Sequence, residues 1–261
     1  MHRAAALCFL LSVSVQAAEP AFSKQEQDAA LAAIGDYARN WVASLPNYTA
    51  TQLTRRKMTP VAVRGMLTVR AQTELMEDQI SYVDRREVHK TVSIDGKKLA
   101  EADQKDASYS RGEFAGLLTT LFTPSSGGKF EWDKFASLNG RKMYVFKFQV
   151  PQLPTGYGLM EGNHTIMVPF RGSVYADVQT KAVMRIQVKC FDIPAISSYR
   201  TVELVLDYKA AKVGGQEFVL PSHYTLTAGK ADVNIEMDAT YKNYQRFSAD
   251  ATIIFDEAGE P

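Results

Sequence analysis

Long runs in which apolar and polar residues strictly alternate do most to limit the folds open to this chain. From Asp232 to Thr240, Val233, Ile235, Met237 and Ala239 alternate with Asp232, Asn234, Glu236 and Asp238. Successive side chains of a strand point to opposite faces, so such a run reads as a strand buried on one side and solvated on the other. The same pattern recurs at Arg141 to Val150, where Tyr144, Phe146, Phe148 and Val150 alternate with Val145, Lys147 and Gln149. It recurs again at Thr201 to Val213, with Val202, Leu204, Leu206 and Tyr208 against Glu203, Asp207 and Lys209.

Further strands are predicted at Tyr48–Lys57, Gly65–Glu74, Ile80–Ile94, Lys129–Phe135, Thr165–Asp177, Lys181–Asp192, Gln216–Leu226 and Tyr244–Asp256. Turn signals separate several of them: Asp95-Gly96, Asn139-Gly140, Gly214-Gly215 and Ala228-Gly229-Lys230. Glu101–Ser110 and the Pro- and Gly-containing stretch Pro151–Gly162 read as loops.

Two segments carry helical spacing instead. Ser23 to Ser44 begins with a capping box, Ser23 followed three residues later by Glu26, and ends at Leu45-Pro46-Asn47. Arg111 to Phe122 places Phe114, Leu117, Leu118, Leu121 and Phe122 on one face. No repeat of fixed period and no long linker divides the chain. The expected fold is therefore mostly β (α+β). It is a strongly curved antiparallel sheet, or open half-barrel, of about ten strands, with an N-terminal helix and a second short helix packed on its concave face. Residues 19–261 are expected to form a single β-rich domain.

Residues 1–18 read as a signal peptide. His2 and Arg3 precede the apolar run Ala4–Val15, and Val15-Gln16-Ala17 supplies small residues for cleavage after Ala17 or Ala18. Twelve apolar residues are too few to span a bilayer, and no other stretch approaches about 18, so no transmembrane segment is expected in the mature chain. The expected location is periplasmic or secreted. Without the signal only Cys190 remains, which rules out an intramolecular disulfide, and its place in Val188-Lys189-Cys190-Phe191 predicts a buried structural thiol. The 30 basic and 29 acidic residues are dispersed along the chain, which argues against nucleic acid as a partner.

No motif for chemistry stands out. There is no Gly-x-Ser-x-Gly elbow, no His-Glu-x-x-His and no phosphate loop; Ser125-Ser126-Gly127-Gly128-Lys129 leads into a strand rather than a helix. His89, His164 and His223 stand alone, so no metal and no cofactor are expected. The acidic row Asp232, Asn234, Glu236 and Asp238 reads first as a solvated face opposite lysines on the next strand. Paired-carboxylate chemistry is the less favoured reading, and no catalytic residue is assigned.

The apolar faces are the more informative feature. Tyr144, Phe146 and Phe148, with Val202, Leu204 and Leu206 and the apolar side of the Phe114–Phe122 helix, read either as plain core or as the lining of an apolar cavity between sheet and helices.

Two stretches carry a resemblance that bears on the second reading. Gly172-Ser173-Val174-Tyr175-Ala176-Asp177 followed by Val183-Met184-Arg185-Ile186 is one; Val205-Leu206-Asp207-Tyr208 followed by Gly214-Gly215-Gln216-Glu217-Phe218-Val219-Leu220-Pro221 is the other. Over Tyr48 to Phe255 the order of segments resembles the LolA-like superfamily of periplasmic lipoprotein carriers. Leu45-Pro46-Asn47-Tyr48 also resembles the start of uncharacterised exported bacterial proteins of similar length. The superfamily resemblance implies a curved sheet lined by helices, with acyl chains in the hollow between them. The expected function is thus an exported binding or carrier protein for lipid or lipoprotein acyl chains. Phe114, Leu118, Tyr144, Phe146, Phe148, Val202, Leu204 and Leu206 are the candidate ligand contacts. The alternative is an envelope interaction module with a filled core and other envelope proteins as partners; a hydrolase ranks last.

Overall fold

The computed structural model describes residues 22–61, 70–103, 116–152, 155–161 and 164–247. Helix α1 (Lys24–Ser44) leads, and it carries the predicted cap. The Glu26 amide donates to Ser23 Oγ at 3.3 Å while the Glu26 carboxylate accepts from the Ser23 amide at 2.7 Å. Thirteen strands follow among the described residues: β1 (Tyr48–Pro60), β2 (Gln72–Val83), β3 (Arg86–Ile94), β4 (Lys97–Lys98), β5 (Lys129–Leu138), β6 (Arg141–Val150), β7 (Tyr157–Glu161), β8 (His164–Val168), β9 (Phe170–Asp177), β10 (Val183–Cys190), β11 (Tyr199–Val213), β12 (Gln216–Lys230) and β13 (Val233–Arg246). The short helix α2 (Gly116–Phe122) lies between β4 and β5.

Eleven strands form one antiparallel sheet in the order β4-β3-β2-β1-β13-β12-β11-β10-β9-β6-β5. Among the described residues the sheet does not close, and β4 and β5 are its edges. Strands β7 and β8 pair separately as a hairpin. The mostly β, unclosed sheet with two helices is the predicted class, with the first strand zipped to the last by the β1–β13 pairing.

Turn chemistry explains where the strand boundaries are right and where they move. Asp95-Gly96, Asn139-Gly140 and Gly214-Gly215 all have positive φ at both positions, as a tight hairpin turn demands. Asp84 and Arg85 adopt the same geometry, φ 51° and 63°, without a glycine. Ile80–Ile94 is therefore not one strand but the end of β2 and all of β3. Thr165–Asp177 splits at Pro169, which has no amide proton to continue a ladder, into β8 and β9. Pro151–Gly162 is not all loop, since it contains β7. Ala228-Gly229-Lys230 does not turn: Gly229 pairs with Thr201 on one side and Asn234 on the other, and the reversal falls at residues 231–232. β13 runs unbroken past Thr240 to Arg246, absorbing a register shift near Asn243, where φ is 56°. Residues 248–256 of the last predicted strand, residues 65–69 of Gly65–Glu74, residues 104–110 of the predicted loop, residues 111–115 of the second predicted helix and the expected signal peptide lie outside the described residues.

One core holds the layers together. It joins Ala30, Ile34, Ala38 and Trp41 of α1, Leu117, Leu118, Leu121 and Phe122 of α2, and the helix-facing side chains of the sheet. That face is called inner below. The outer face is laced with ion pairs between neighbouring strands: Arg185 with Asp207 at 2.5 Å, Lys189 with Glu203 at 2.7 Å and Lys57 with Glu236 at 3.3 Å.

Asp177 fixes the turn from β9 to β10. Its carboxylate accepts from the Thr180 amide at 2.8 Å, the Gln179 amide at 3.0 Å and Thr180 Oγ1 at 3.1 Å, and it pairs with Arg141 at 2.8 Å. Burial works to raise its pKa, but the donors outweigh burial and hold the carboxyl below its ordinary value. A carboxyl with a lower pKa folded than unfolded adds stability above the unfolded pKa and loses it as pH falls through the folded one. Asp177→Asn is expected to lower stability at neutral pH by about 1–3 kcal/mol. The gap from wild type should shrink below about pH 4, near the ordinary carboxyl pKa. Urea midpoints measured across pH check this; a gap that stays constant on acidification would exclude the carboxylate as its source.

Candidate functional site on the inner face of the sheet

Strand register carries the aromatic face of β6 across most of the sheet. Phe146 lies opposite Trp132 of β5 and Val174 of β9; Phe148 lies opposite Phe130 and Gly172. Val174 in turn meets Ile186, which meets Leu206, and Val188 meets Leu204. Leu206 and Leu204 meet Tyr224 and Leu226 of β12, and Leu226 meets Met237 of β13. Partners across an antiparallel pair share a face, so these rows form one continuous apolar surface.

The structure brings Leu118, Tyr144, Phe146, Phe148, Val202, Leu204 and Leu206 together in this single cluster. All are buried except Tyr144, which is partly so. Phe114 lies outside the described residues.

Among the described residues three elements cover this surface. Phe22, just ahead of α1, stacks on Tyr144 and packs on Trp132, with ring centroids 5.6 and 4.6 Å away. Trp41, near the other end of α1, meets Tyr208 edge-on at 6.2 Å. Arg39 Nη1 donates to the Phe122 carbonyl at 3.2 Å and ties α1 to α2.

The β7–β8 hairpin is the third cover. Leu159 and Val168 are buried in the main core. Its Glu161 carboxylate accepts from Ser197 Oγ and from the Ser198 amide, each at 2.6 Å. Burial works to raise the Glu161 pKa, yet these serine donors win and keep it lowered. Between hairpin and sheet lies a cavity of about 10 Å³ lined by Tyr157, Leu159, Tyr199, Val202, Leu226, Ala228 and Ile235. Of the predicted contacts only Val202 lines it. The one sign of this cover in the sequence was the brief alternation of Tyr157 and Leu159 with Gly158 and Met160.

The inner face changes character at β1–β3. Here Gln52, Thr54, Asp78, His89 and Thr91 are buried, each no more than 4% exposed. Tyr241, Gln52, Asp78 and Thr91 form one row across β13, β1, β2 and β3. Thr91 Oγ1 donates to Asp78 Oδ1 at 2.5 Å, and Gln52 Nε2 donates to Thr54 Oγ1 at 2.9 Å. Arg56 Nε donates to Glu74 at 3.1 Å, and His89 bonds to Glu87. Tyrosines mark the border between the apolar and polar parts. Tyr48 stacks on Tyr82 at 5.2 Å, and burial pushes the phenols of Tyr48 and Tyr82 up.

The remaining candidates take ordinary roles. Cys190 is buried in the core, and burial pushes its thiol up to about 12, which leaves it protonated and poorly nucleophilic. Asp238 and Glu236 lie opposite Arg55 and Lys57 on β1, the solvated, charge-paired face expected of the acidic row. Among the described residues no three His, Cys, Asp or Glu converge to hold a metal, and no helix is long and apolar enough to cross a membrane.

No protein-family model matches the chain, and no curated protein matches it in sequence. Solved structures similar in fold include a LolA superfamily protein from Nitrosomonas europaea, with a TM-score of 0.36, 8% identity, and coverage of 83% of this chain and 93% of that one. A DUF1329 family protein from Desulfovibrio piger has a TM-score of 0.38 and 8% identity, covering 85% and 93%. A candidate outer membrane lipoprotein-sorting domain from Vibrio parahaemolyticus has a TM-score of 0.34 and 12% identity, covering 84% and 93%.

Proposed function

We propose that this protein binds the apolar chain of an amphiphile, such as a lipid or the acyl chains of a lipoprotein, in the periplasm or outside the cell. The observation that carries the reading is the continuous apolar surface from β5 to β13, covered not by a second sheet but by two helices and a hairpin. The contacts are Leu118, Tyr144, Phe146, Phe148, Val202, Leu204 and Leu206, with Phe114 from the segment ahead of α2. Each methylene moved from water onto this surface contributes roughly 0.8 kcal/mol, so sixteen supply about 13 kcal/mol before the costs of association. The 10 Å³ cavity holds about one water-sized probe, so an acyl chain enters beneath the hairpin only when that cover moves. The β7–β8 hairpin is the cover held at one end by Glu161, and that end is where opening starts.

The alternative, a docking module for another envelope protein, calls for a contiguous exposed apolar patch. Among the described residues the exposed large apolar side chains form no patch larger than the diagonal pair Leu53 and Leu75. On the outer face Leu53 pairs with Glu77, Leu75 with Arg55 and Val88 with Ser81, while Ile196 sits in a loop.

Purified protein should retain or take up single-chain lipid in a one-to-one complex by native mass spectrometry. Glu161→Gln should speed exchange of a fluorescent fatty acid. Failure of both proteins to bind any single-chain amphiphile would sink the reading.

A further inference from the structure

We infer that a cleft on the outer face of β5, β6, β9 and β10 is a second binding site, and that it takes an anion bearing a phosphate group. This site is independent of the apolar-chain reading, because the sheet itself separates the cleft from the inner face.

The cleft has a volume of about 780 Å³, within the range of small-molecule sites. The alternation that turns Phe130 and Phe148 inward turns Lys129, Lys147, Gln149, Arg171 and Lys189 outward, and all five are exposed along its walls. Lys129, Gln149, Arg171, Lys189 and Glu203 are cross-strand partners in turn, one row over β5, β6, β9, β10 and β11.

Charge in this row is arranged unlike the ion-paired rows beside it. Arg185 meets Asp207, and Lys57 meets Glu236, across neighbouring strands. Here Arg171 stands directly opposite Lys189, a like-charge pairing that opposes sheet formation. Lys189 is engaged on its other side by Glu203 at 2.7 Å. Arg171 lies over the Phe191 ring, 5.4 Å from its centroid, and among the described residues neither Arg171 nor Lys129 meets a carboxylate within ion-pair distance. Lysines guard the exposed edges of sheets, which accounts for Lys129 on β5, but Arg171 and Lys189 lie on interior strands. Two strand spacings set the backbones of Lys129 and Arg171 about 10 Å apart, a span that two long side chains can close over an anion held above Gln149.

The carboxylates lie to one side. Glu131 lines the cleft, but it stands directly opposite Lys147, which also pairs with Asp133 at 2.8 Å. On the other side of the row the lining is Gly127 and Pro151, which carry no charge. The positive pole is therefore Lys129, Gln149 and Arg171, where an ammonium, an amide and a guanidinium all offer donors. A phosphomonoester carries a charge of about −1.5 to −2 and three acceptor oxygens, and so satisfies more of these donors than a single carboxylate does.

The test has a soluble arm and a membrane arm, both with the full-length mature protein at physiological salt. Pyrophosphate and glycerol phosphate are titrated calorimetrically. Vesicles of phosphatidylcholine, alone or with phosphatidic acid at about four to one, are sedimented with the protein. Wild type should bind in at least one arm, and the arm names the source, a free phosphate compound or a lipid head group. Arg171→Gln and Lys129→Gln should each weaken that binding about tenfold. Their melting temperatures should match wild type, because both side chains are exposed. Lys242→Gln is the control, an exposed lysine on β13, three strands beyond the cleft, and it should bind as wild type does. Losses no greater in the two cleft variants than in this control would mean diffuse charge and overturn the site. Binding in neither arm overturns it as well. Tighter binding of tetraglutamate than of pyrophosphate would make an acidic protein segment the occupant and overturn the phosphate assignment.

Discussion

Gly172→Ala is expected to destabilise the protein by about 4 kcal/mol or more, enough to leave little folded material. Gly172 sits mid-strand in β9 between Phe148 of β6 and Val188 of β10. A Cβ there would stand 1.7 Å from the backbone oxygen of Gln187, 2.7 Å from its carbonyl carbon and 3.0 Å from Phe148 Cζ. A side chain can rotate away from such a clash, but a carbonyl held in a sheet cannot move without opening the β9–β10 ladder. Glycine inside a strand otherwise weakens it, so its use here answers to the close approach of a neighbouring backbone. Gly140→Ala is the control. Nothing lies within 4 Å of a Cβ at Gly140, and only its φ of 77° opposes alanine, for a loss of about 1–2 kcal/mol. Denaturant midpoints of the two variants decide the matter; equal losses would mean that the clash at Gly172 is relieved by a small shift of the strands.

Much of this architecture is legible in the sequence because two local signals agree. Alternation assigns a face, and turn residues assign a boundary. Where both are present, as from Arg141 through Asn139-Gly140 or at Gly214-Gly215, the strands lie where predicted. Where the turn has no glycine, as at Asp84-Arg85, the local signal is too weak to mark a boundary.

The candidate site divides in the same way. Tyr144, Phe146 and Phe148, with Val202, Leu204 and Leu206, share a face because parity along each strand dictates it. What covers them depends on chain segments distant in sequence, so the brief alternation of Tyr157 and Leu159 with Gly158 and Met160 is too short to show the β7–β8 hairpin as a cover. The polar stretch was hidden for another reason. In β1, Gln52, Thr54 and Arg56 alternate with Thr51, Leu53 and Arg55, so neither side is clearly apolar, and only pairing with β2 and β3 shows which set is buried.

Phe146→Ala should lower stability by about 3–5 kcal/mol, within the usual range for removing a fully buried ring. Phe146 is 1% exposed, its ring meets Trp132 edge-on at 5.3 Å, and its strand neighbours Trp132 and Val174 belong to the same core. Tyr144→Ala should cost less, because Tyr144 already reaches solvent. The variant also asks whether the inner face tolerates a guest. If strands and helices stay in place, the deleted ring leaves an apolar void in which water finds no hydrogen-bond partner. A short alkane such as hexane can then bind the folded state alone and restore about 2.7 kcal/mol at a hundredfold excess over its dissociation constant. Urea unfolding of wild type and Phe146→Ala, with and without hexane, separates the possibilities. Recovery confined to the variant means that the covered face holds its shape around an empty space, as a surface for acyl chains must. Loss of stability without recovery means that the core collapses onto any space it is given, and a carrier role for this face would then be untenable.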